Sequence, residues 1–225
     1  MTQAPDPAAP VLALDAGSPT VSVALGRGGE VLAVRSEAIS RSSKRLLQMI
    51  DEVLGETGVE REELGGVVAL RGPGSFTGLR VGLATALGLH LALGIPAAAL
   101  PTLLVLAAAA ACCEGEVLAA VDALRGEWTV QPFTGDPPRA LGEAETVPVA
   151  ALAARAPAAI VGFGVTVAFV ESVAARLYEP GPLTPIALSL LPRLDLDWDP
   201  ALLTDPLYAR PPAVTVPAAP GAKRR

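Results

Sequence analysis

Residues 11–19 read VLALDAGSP, a short apolar run that ends in Asp15 and leads into a turn marked by glycine and proline. A run of this kind, bounded by turn residues, is typical of a buried strand. Residues 117–126 read VLAAVDALRG, in which Asp122 again closes an apolar run before a turn. The two stretches form a weak internal repeat, so we expect the second half of the chain to restart the pattern of the first.

Outward from residue 11, the first half is predicted to follow the order βββαβαβα. The strands are predicted at residues 11–15, 20–25, 31–36, 67–70 and 95–100. The first helix is predicted to begin after the N-cap candidates Ser40, Ser42 and Ser43 and to run to about Gly55, with its leucines, Ile50 and Val53 on one face. Two further helices are predicted at 79–94, which is apolar nearly all round, and at 102–113, which is rich in alanine.

The second half carries weaker signals. Strands are predicted at 117–122, 128–133 and 160–162, and helices at 149–156 and 168–178, followed by proline-rich chain. Residues 211–225 are expected to form a mobile tail.

Composition excludes several classes of protein. The 225 residues allow one large domain or two small ones, and 17 basic against 23 acidic residues give a net charge of −6, the wrong sign for a self-sufficient nucleic-acid binder. One histidine and two adjacent cysteines cannot build a disulfide framework or a closed metal site. Cys112 and Cys113 are expected to be reduced, small core hydrophobes, and the first ten residues do not form a secretory signal, so we expect a cytoplasmic protein.

Residues 81–113 carry no charged side chain, which raises the question of a membrane span. Pro96 and Pro101 divide this segment into pieces shorter than the roughly 20 apolar residues that cross a bilayer. We therefore predict two helices buried in protein and separated by a short strand.

The glycine-rich loop at 71–78, RGPGSFTG, lies between a predicted strand and a predicted helix. Backbone N–H groups at such a position can receive an anion, which predicts a phosphate-binding loop. The loop is not a Walker A motif and misses the Rossmann pattern by one residue. The alternative is that Gly72 and Gly74 only allow a tight turn while Phe76 plugs the core, and the sequence leaves both open.

Asp15 and Asp122 stand where an actin-like ATPase would place its two phosphate and magnesium residues, yet an aspartate after a strand is more often an Asx-turn residue. His90 has no acid or serine partner near it in the sequence, so we interpret it as a packed or interface histidine rather than a catalytic base.

Six motifs are spread along the chain: residues 12–15 (LALD), 21–25 (VSVAL), 71–80 (RGPGSFTGLR), 94–96 (GIP), 121–127 (VDALRGE) and 206–210 (PLYAR). Together they resemble the TsaB family, also called YeaZ. The resemblance implies an α/β actin-like ATPase (ASKHA) fold of two ribonuclease-H-like subdomains, each with a mixed sheet flanked by helices. It places a disordered N-terminus at 1–10, the subdomains at 11–113 and 114–210, and the tail at 211–225.

The resemblance further implies a non-catalytic partner of TsaD, the enzyme that transfers a threonylcarbamoyl group to N6 of the adenosine beside the tRNA anticodon. In TsaD a His-x-x-x-His pair holds the metal, whereas residues 40–44 here read SRSSK without a histidine, and Ser42 stands where many family members keep one. We therefore expect no catalytic residue and no metal. Asp15 and Asp122 become vestigial phosphate positions, and the glycine-loop motif comprises Gly72, Pro73, Gly74, Ser75, Phe76, Thr77, Gly78 and Arg80.

In the family, the helices that correspond to 43–54 and 79–93 form the contact with TsaD or with a second TsaB. The all-round apolar character of the second helix is what such a contact needs. The predicted interface residues are Leu46, Met49, Ile50, Val53, Gly82, Leu83, Ala86, Leu87 and His90.

The expected partners are a TsaD protein, a TsaE-type ATPase through the complex, and a second copy of the chain when TsaD is missing. Neither strong direct tRNA binding nor membrane attachment is expected. No cofactor is required, although a weakly bound or interfacial adenine nucleotide remains open. The alternative function is an autonomous actin-like ATPase, kinase or metallopeptidase that uses Asp15 and Asp122.

Overall fold

The computed structural model describes residues 4–38, 43–152, 155, 157–163 and 175–209. The first sheet has five strands in the order β3-β2-β1-β4-β5, in which β1 to β3 form an antiparallel meander and β4 and β5 run parallel to β1. These strands are β1 (Pro10–Asp15), β2 (Thr20–Arg27), β3 (Glu30–Ala38), β4 (Gly66–Leu70) and β5 (Ala97–Leu100). All five predicted strands of the first half are confirmed.

The second sheet repeats this topology. Its strands are β6 (Val117–Asp122), β7 (Glu127–Thr134), β8 (Arg139–Ala140), β9 (Glu145–Pro148), β10 (Ala159–Phe163) and β11 (Arg176–Tyr178). Their order is β11-β10-β6-β7-β8, with β9 also paired to β7, and β10 and β11 run parallel to their neighbours just as β4 and β5 do. The internal repeat is therefore confirmed as a repeat of sheet topology.

The helices are α1 (Ser43–Thr57), α2 (Phe76–Leu93), α3 (Thr102–Ala109), α4 (Val149–Leu152) and α5 (Leu183–Leu190). α1 and α2 cover one face of the first sheet and α5 the other, whereas α4 packs on the second sheet. Side chains alternate between the two faces of a strand, so Leu12 and Leu14 of β1 pack in the cluster under α1 and α2, while Val11 and Ala13 face a second cluster around α3 and α5. This alternation explains why β1 reads as a continuous apolar run.

The layer between the two sheets is made by α3 and α5. The α5 helix contacts β1, β2 and β3, whereas α3 contacts β6 and also packs on α5. Residues of both sheets share one cluster with these helices, including Val68, Leu103 and Val117. A helix between two sheets must be apolar on more than one side, and this requirement accounts for the sequence of α3.

Several element predictions need correction. The α2 helix begins at Phe76 rather than Leu79, since Ser75 is its N-cap and accepts a hydrogen bond from the Gly78 N–H at 3.4 Å. Of the helix predicted at 168–178, residues 176–178 form strand β11 and 168–174 lie outside the described residues. The proline-rich chain contains α5, where Pro185 is tolerated because it lies in the first turn.

The observed contacts do not follow the predicted domain boundaries. A disordered N-terminus is predicted for residues 1–10, but residues 4–9 contain a turn before β1 in which the Ala8 and Ala9 N–H groups donate to Asp6. From residue 183 onward, a stretch assigned to the second subdomain, the chain returns to the first sheet through α5 and a 3-10 turn at Pro200–Thr204 that packs on α2 and β5. Residues 211–225 lie outside the described residues.

One helix among the described residues, α2, is long and apolar enough to cross a membrane by those two criteria alone. This is weak evidence, because a core helix passes the same test, and Leu79, Leu83 and Ala86 of α2 are buried against the first sheet. The predicted strand between the two apolar helices is confirmed as β5.

Gly78 gives a direct test of how α2 is seated. A Cβ at this position would lie 1.8 Å from the Ala16 carbonyl oxygen, and that oxygen belongs to backbone that cannot rotate away. We expect Gly78→Ala to lower the free energy of unfolding by at least about 2 kcal/mol, measured by urea titration. Gly88→Ala in the same helix is the matched control, since no atom lies within 4 Å of its new Cβ. Equal stability of the two variants would contradict this seating.

Candidate functional site

A cleft of about 630 Å³ opens where the carboxyl ends of the parallel strands of both sheets meet. Ligands of open α/β folds bind at this kind of position. The cleft is lined by Gly17, Ser18, Pro19, Pro73, Gly74, Ser75, Phe76, Val121, Asp122, Ala123, Leu124, Phe163, Tyr208 and Ala209. The two halves of the internal repeat thus contribute matching turns to one site.

The glycine loop is bound into the surrounding backbone. Gly72 has a φ of +106°, and a Cβ there would lie 2.1 Å from the Leu207 carbonyl oxygen. The Ser75 N–H donates to the Gly17 carbonyl at 2.8 Å, and the Leu207 N–H donates to the Arg71 carbonyl at 2.7 Å. These contacts favour the tight-turn interpretation, because the glycines let three chain segments approach each other closely.

The prediction that Phe76 plugs the core is wrong, since its side chain is 40% exposed at the edge of the cleft. Its ring packs on Tyr208, with 5.0 Å between centroids, and the Arg80 guanidinium lies 4.0 Å above the Phe76 ring. Arg80 Nε also donates to the Tyr208 hydroxyl at 3.2 Å. The loop and the C-terminal segment are therefore held together by a cation–aromatic cluster, and Thr77 beside it is exposed.

Asp15 is the Asx-turn residue of the β1–β2 connection. Its Oδ1 accepts hydrogen bonds from the N–H groups of Gly17 at 3.0 Å and Ser18 at 3.1 Å, whereas its Oδ2 is buried without a partner. Burial raises the pKa of Asp15 from 3.8 to about 6, although the contacts with Ser18 and Gly17 act in the opposite direction. Gly17, Ser18 and Pro19 line the cleft, whereas Asp15 does not. Its carboxylate therefore stabilises the turn and does not face a ligand in the cleft.

Asp122 occupies the equivalent turn after β6 but is exposed. Its Oδ1 accepts from the Leu124 N–H at 2.7 Å, and the turn continues with positive φ angles at Leu124 and Arg125. Among the described residues that line the cleft, Asp122 is the only charged one. A nucleoside triphosphate would therefore meet one carboxylate and no cationic side chain in this lining.

Most of the residues predicted for a partner interface are buried in the chain's own core, which corrects their assignment. Leu46, Met49, Ile50, Val53, Gly82, Leu83 and Ala86 are all buried beneath α1 and α2. The physical reason is that both helices turn these faces towards the first sheet. Leu87 is half-buried, and the half-buried His90 ring places Nδ1 2.7 Å from the Ile95 carbonyl, which fits the packed-histidine interpretation.

The outer side of α2 carries a different apolar surface. We call Val81, Ala84, Gly88 and Leu91 the α2 stripe; they recur at three- and four-residue spacing along one side of the helix. Ala84, Gly88 and Leu91 are exposed, Leu91 by 71%, and Val81 is half-buried. Sequence reasoning missed the stripe because α2 is apolar on every side, so the pattern does not show which side faces the sheet.

The prediction that both cysteines are core residues is wrong for Cys112, which is exposed. Cys113 is half-buried and packs against the core cluster around α3 and α5. Cys113 Sγ lies 2.9 Å from the Tyr178 hydroxyl. Within the part of the chain that the structure describes, no group of three or more His, Cys, Asp or Glu side chains is placed to hold a metal ion.

Comparison with known proteins gives a consistent result. The family model described as "TsaD: tRNA N6-adenosine threonylcarbamoyltransferase" matches residues 33–157, more than half of the chain. The chain is 36% identical over 119 residues to the "tRNA threonylcarbamoyladenosine biosynthesis protein TsaB" of Escherichia coli (strain K12), over 52% of each chain. The structure of YeaZ from Pseudomonas aeruginosa matches with a TM-score of 0.70 and 30% identity, over 81% of this chain and 90% of that one.

The chain belongs to the TsaB (YeaZ) family. It spans about half the length of the curated TsaB relatives that it matches. Component A of (R)-2-hydroxyglutaryl-CoA dehydratase from Acidaminococcus fermentans, at 13% identity and a TM-score of 0.50 over 80% of this chain and 95% of that one, shows the same fold. The predicted actin-like ATPase (ASKHA) fold is thus confirmed.

The buried carboxylate of this TsaB family member predicts an unusual pH dependence. The folded chain takes up a proton at Asp15 between about pH 4 and pH 6 that the unfolded chain does not, so this group's contribution to stability falls as the pH rises through that window. Above about pH 6, the buried charge of Asp15 lowers the free energy of unfolding by about 3 kcal/mol. Asp15→Asn keeps the Oδ1 acceptor and removes the charge.

We therefore expect Asp15→Asn to gain free energy of unfolding relative to the parent chain as the pH rises from about 4 to 7, measured by urea titration at each pH. Asp122→Asn is the control, because it removes the exposed carboxylate of the equivalent turn. A pH-independent difference at Asp15 would show that its carboxylate is not desolvated as described.

Proposed function

We propose that this chain acts in the modification of tRNA to threonylcarbamoyladenosine, as a non-catalytic subunit that binds a TsaD-family protein. Two curated relatives, which this chain matches over about half of their length, are named for the biosynthesis of threonylcarbamoyladenosine in tRNA. The observation that carries the proposal is the α2 stripe, an exposed apolar surface on a helix whose opposite side already fills the core. Such surfaces on soluble proteins mark sites of association.

Gly88 supplies an independent argument. A glycine inside a helix costs about 1 kcal/mol relative to alanine. Among the described residues no neighbour accounts for this glycine, because Gly88 is helical and a Cβ there would meet open space. A partner backbone that approaches α2 closely at this point would account for it. On the neighbouring helix α1, Leu47 is a second exposed apolar side chain, with 55% of its surface accessible.

The cleft supports a subunit without chemistry of its own. Both aspartates bind the N–H groups of their own turns, and the lining described above offers no cationic side chain for phosphates. This arrangement does not favour the alternative of an autonomous ATPase, kinase or metallopeptidase. The TsaE-type ATPase would then join through the complex, and an adenine nucleotide would bind weakly or at the interface.

The α2 stripe is equally suited to a second copy of the chain. Two identical apolar faces can meet across a twofold axis, so we propose that a homodimer forms through the same stripe when the TsaD-family partner is missing. The two assemblies would then compete. Addition of the partner to the homodimer should yield a one-to-one complex.

Gly88→Ala should have opposite effects on folding and association. The free energy of unfolding should rise by up to about 1 kcal/mol because alanine is the better helix former, whereas the affinity for the TsaD-family protein should fall because a methyl group enters the contact. Chemical denaturation and isothermal titration calorimetry measure the two quantities. Unchanged affinity would place the contact elsewhere.

A charged substitution gives a larger effect. Ala84→Arg puts an unpaired charge into the stripe, and we expect affinity to drop by roughly 100-fold or more without loss of folding, since the side chain is exposed in the free chain. Ala140→Arg on the exposed edge strand β8 is the matched control and should bind normally. Ala86→Arg is unsuitable because Ala86 is fully buried and the variant would misfold.

Reconstitution of the modification tests the function itself. A purified TsaD-family enzyme from the same organism should modify tRNA faster with this chain than without it, and Ala84→Arg should abolish the gain while Asp122→Asn leaves it within about tenfold. Threonylcarbamoyladenosine is measured by mass spectrometry of digested tRNA. ATP turnover by the chain alone, lost in Asp122→Asn, would instead establish the alternative.

A further inference from the structure

The cysteine pair lies in the turn that connects α3 to β6, on the side of the molecule where β11 ends. Cys112 is exposed and Cys113 is half-buried. Both sulfur atoms approach the same hydroxyl, that of Tyr178 at the end of β11: Cys113 Sγ donates to it at 2.9 Å, and Cys112 Sγ lies 3.8 Å away. Two thiols therefore sit side by side at the surface, close to a common polar atom.

This setting differs from that of an inert core cysteine. Thiol reactivity depends on access of the reagent to the sulfur, and Cys112 is an exposed residue. The second thiol is its immediate neighbour in the chain, so it can reach any adduct that forms on the first. Glu114 and Glu116 follow directly and make the local surface acidic.

We propose that Cys112 and Cys113 form a thiol–disulfide exchange site for small neutral or cationic disulfides. The thiolate of Cys112 attacks one sulfur of the small disulfide, which forms a mixed disulfide and releases one small thiol. Cys113 then attacks the Cys112 sulfur and releases the second small thiol. The two cysteines lose two electrons and two protons, and the small disulfide is reduced to two thiols, so the exchange is balanced.

The product is expected to be easily reversed. Neighbouring Cα atoms are about 3.8 Å apart, below the separation of about 4.4 to 6.8 Å usual for disulfides, so a bond between adjacent cysteines is strained and readily reduced. A strained, exposed disulfide is of the labile kind and not of the structural kind. The site thus responds to the ratio of small disulfides to thiols around it.

Oxidation has a structural consequence at β11. Cys113 loses its S–H group in the disulfide and can no longer donate to the Tyr178 hydroxyl. That contact joins the turn after α3 to a three-residue strand, Arg176–Tyr178, which lies at the edge of the second sheet and among the described strands pairs with β10 alone. A short edge strand depends strongly on such contacts, so the amides of β11 should exchange with solvent faster in the oxidised chain.

The chemistry is tested on the full chain with the disulfide of 2-mercaptoethanol, which is neutral. Mass spectrometry should show loss of two hydrogens, located to the peptide that contains both cysteines and reversed by dithiothreitol. In Cys113→Ser the mixed disulfide should persist on Cys112. A persistent mixed disulfide in the parent chain, or no reaction at Cys112, would overturn the proposal. Glutathione disulfide, which is anionic, should react several-fold more slowly at low salt, and equal rates would refute the charge preference.

The structural arm uses hydrogen exchange of the β11 amides. Oxidation should speed their exchange in the parent chain, whereas Tyr178→Phe, which lacks the hydroxyl but keeps both thiols, should exchange at the faster rate in either redox state. An oxidation effect of equal size in Tyr178→Phe would show that the hydroxyl does not couple the dithiol to β11. Neither experiment depends on the proposed role in tRNA modification.

Discussion

The carbonyl of Ala16 and the α-carbon of Gly78 approach so closely that no side chain fits between them. This backbone contact seats the first turn of α2 against the turn after β1. It sets the rotation of α2 about its own axis, because Leu79, Gly82, Leu83 and Ala86 then face the sheet and the α2 stripe faces outward. Asp15 lies directly before this turn and is a buried carboxylate with one oxygen left unpaired.

Much of the fold was predictable because its signals are local. Apolar runs closed by turn residues marked β1, β2, β4 and β6, and the weak repeat around the two aspartates anticipated two sheets of the same topology. The failures have a common physical cause, since they fall where short-range patterns are ambiguous. The α5 helix follows two prolines and reads as loop, although prolines before and within a first turn are compatible with a helix.

The candidate site was less predictable, because its properties depend on which side of an element meets the core. The α2 sequence is apolar throughout, so periodicity could not separate the buried Ala86 from the exposed Ala84. Cys112 and Cys113 follow a run of alanines, so the composition predicts core residues. The α3 helix ends within that run, at Ala109, and the two cysteines lie in the turn after it. Rotation of a helix and the path of a turn come from tertiary contacts that a single sequence does not show.

The position of α5 has a consequence for how the chain is made. This helix covers the inner face of β1, β2 and β3, yet it lies more than 140 residues later in the chain than the end of β3. During synthesis, the first sheet can pair its strands and collect α1 and α2 early, while its other apolar face stays open until residues 183–190 emerge. The ribosome-bound chain therefore carries an uncovered hydrophobic sheet from the completion of β5 at Leu100 until α5 emerges, the condition in which nascent proteins rely on chaperones.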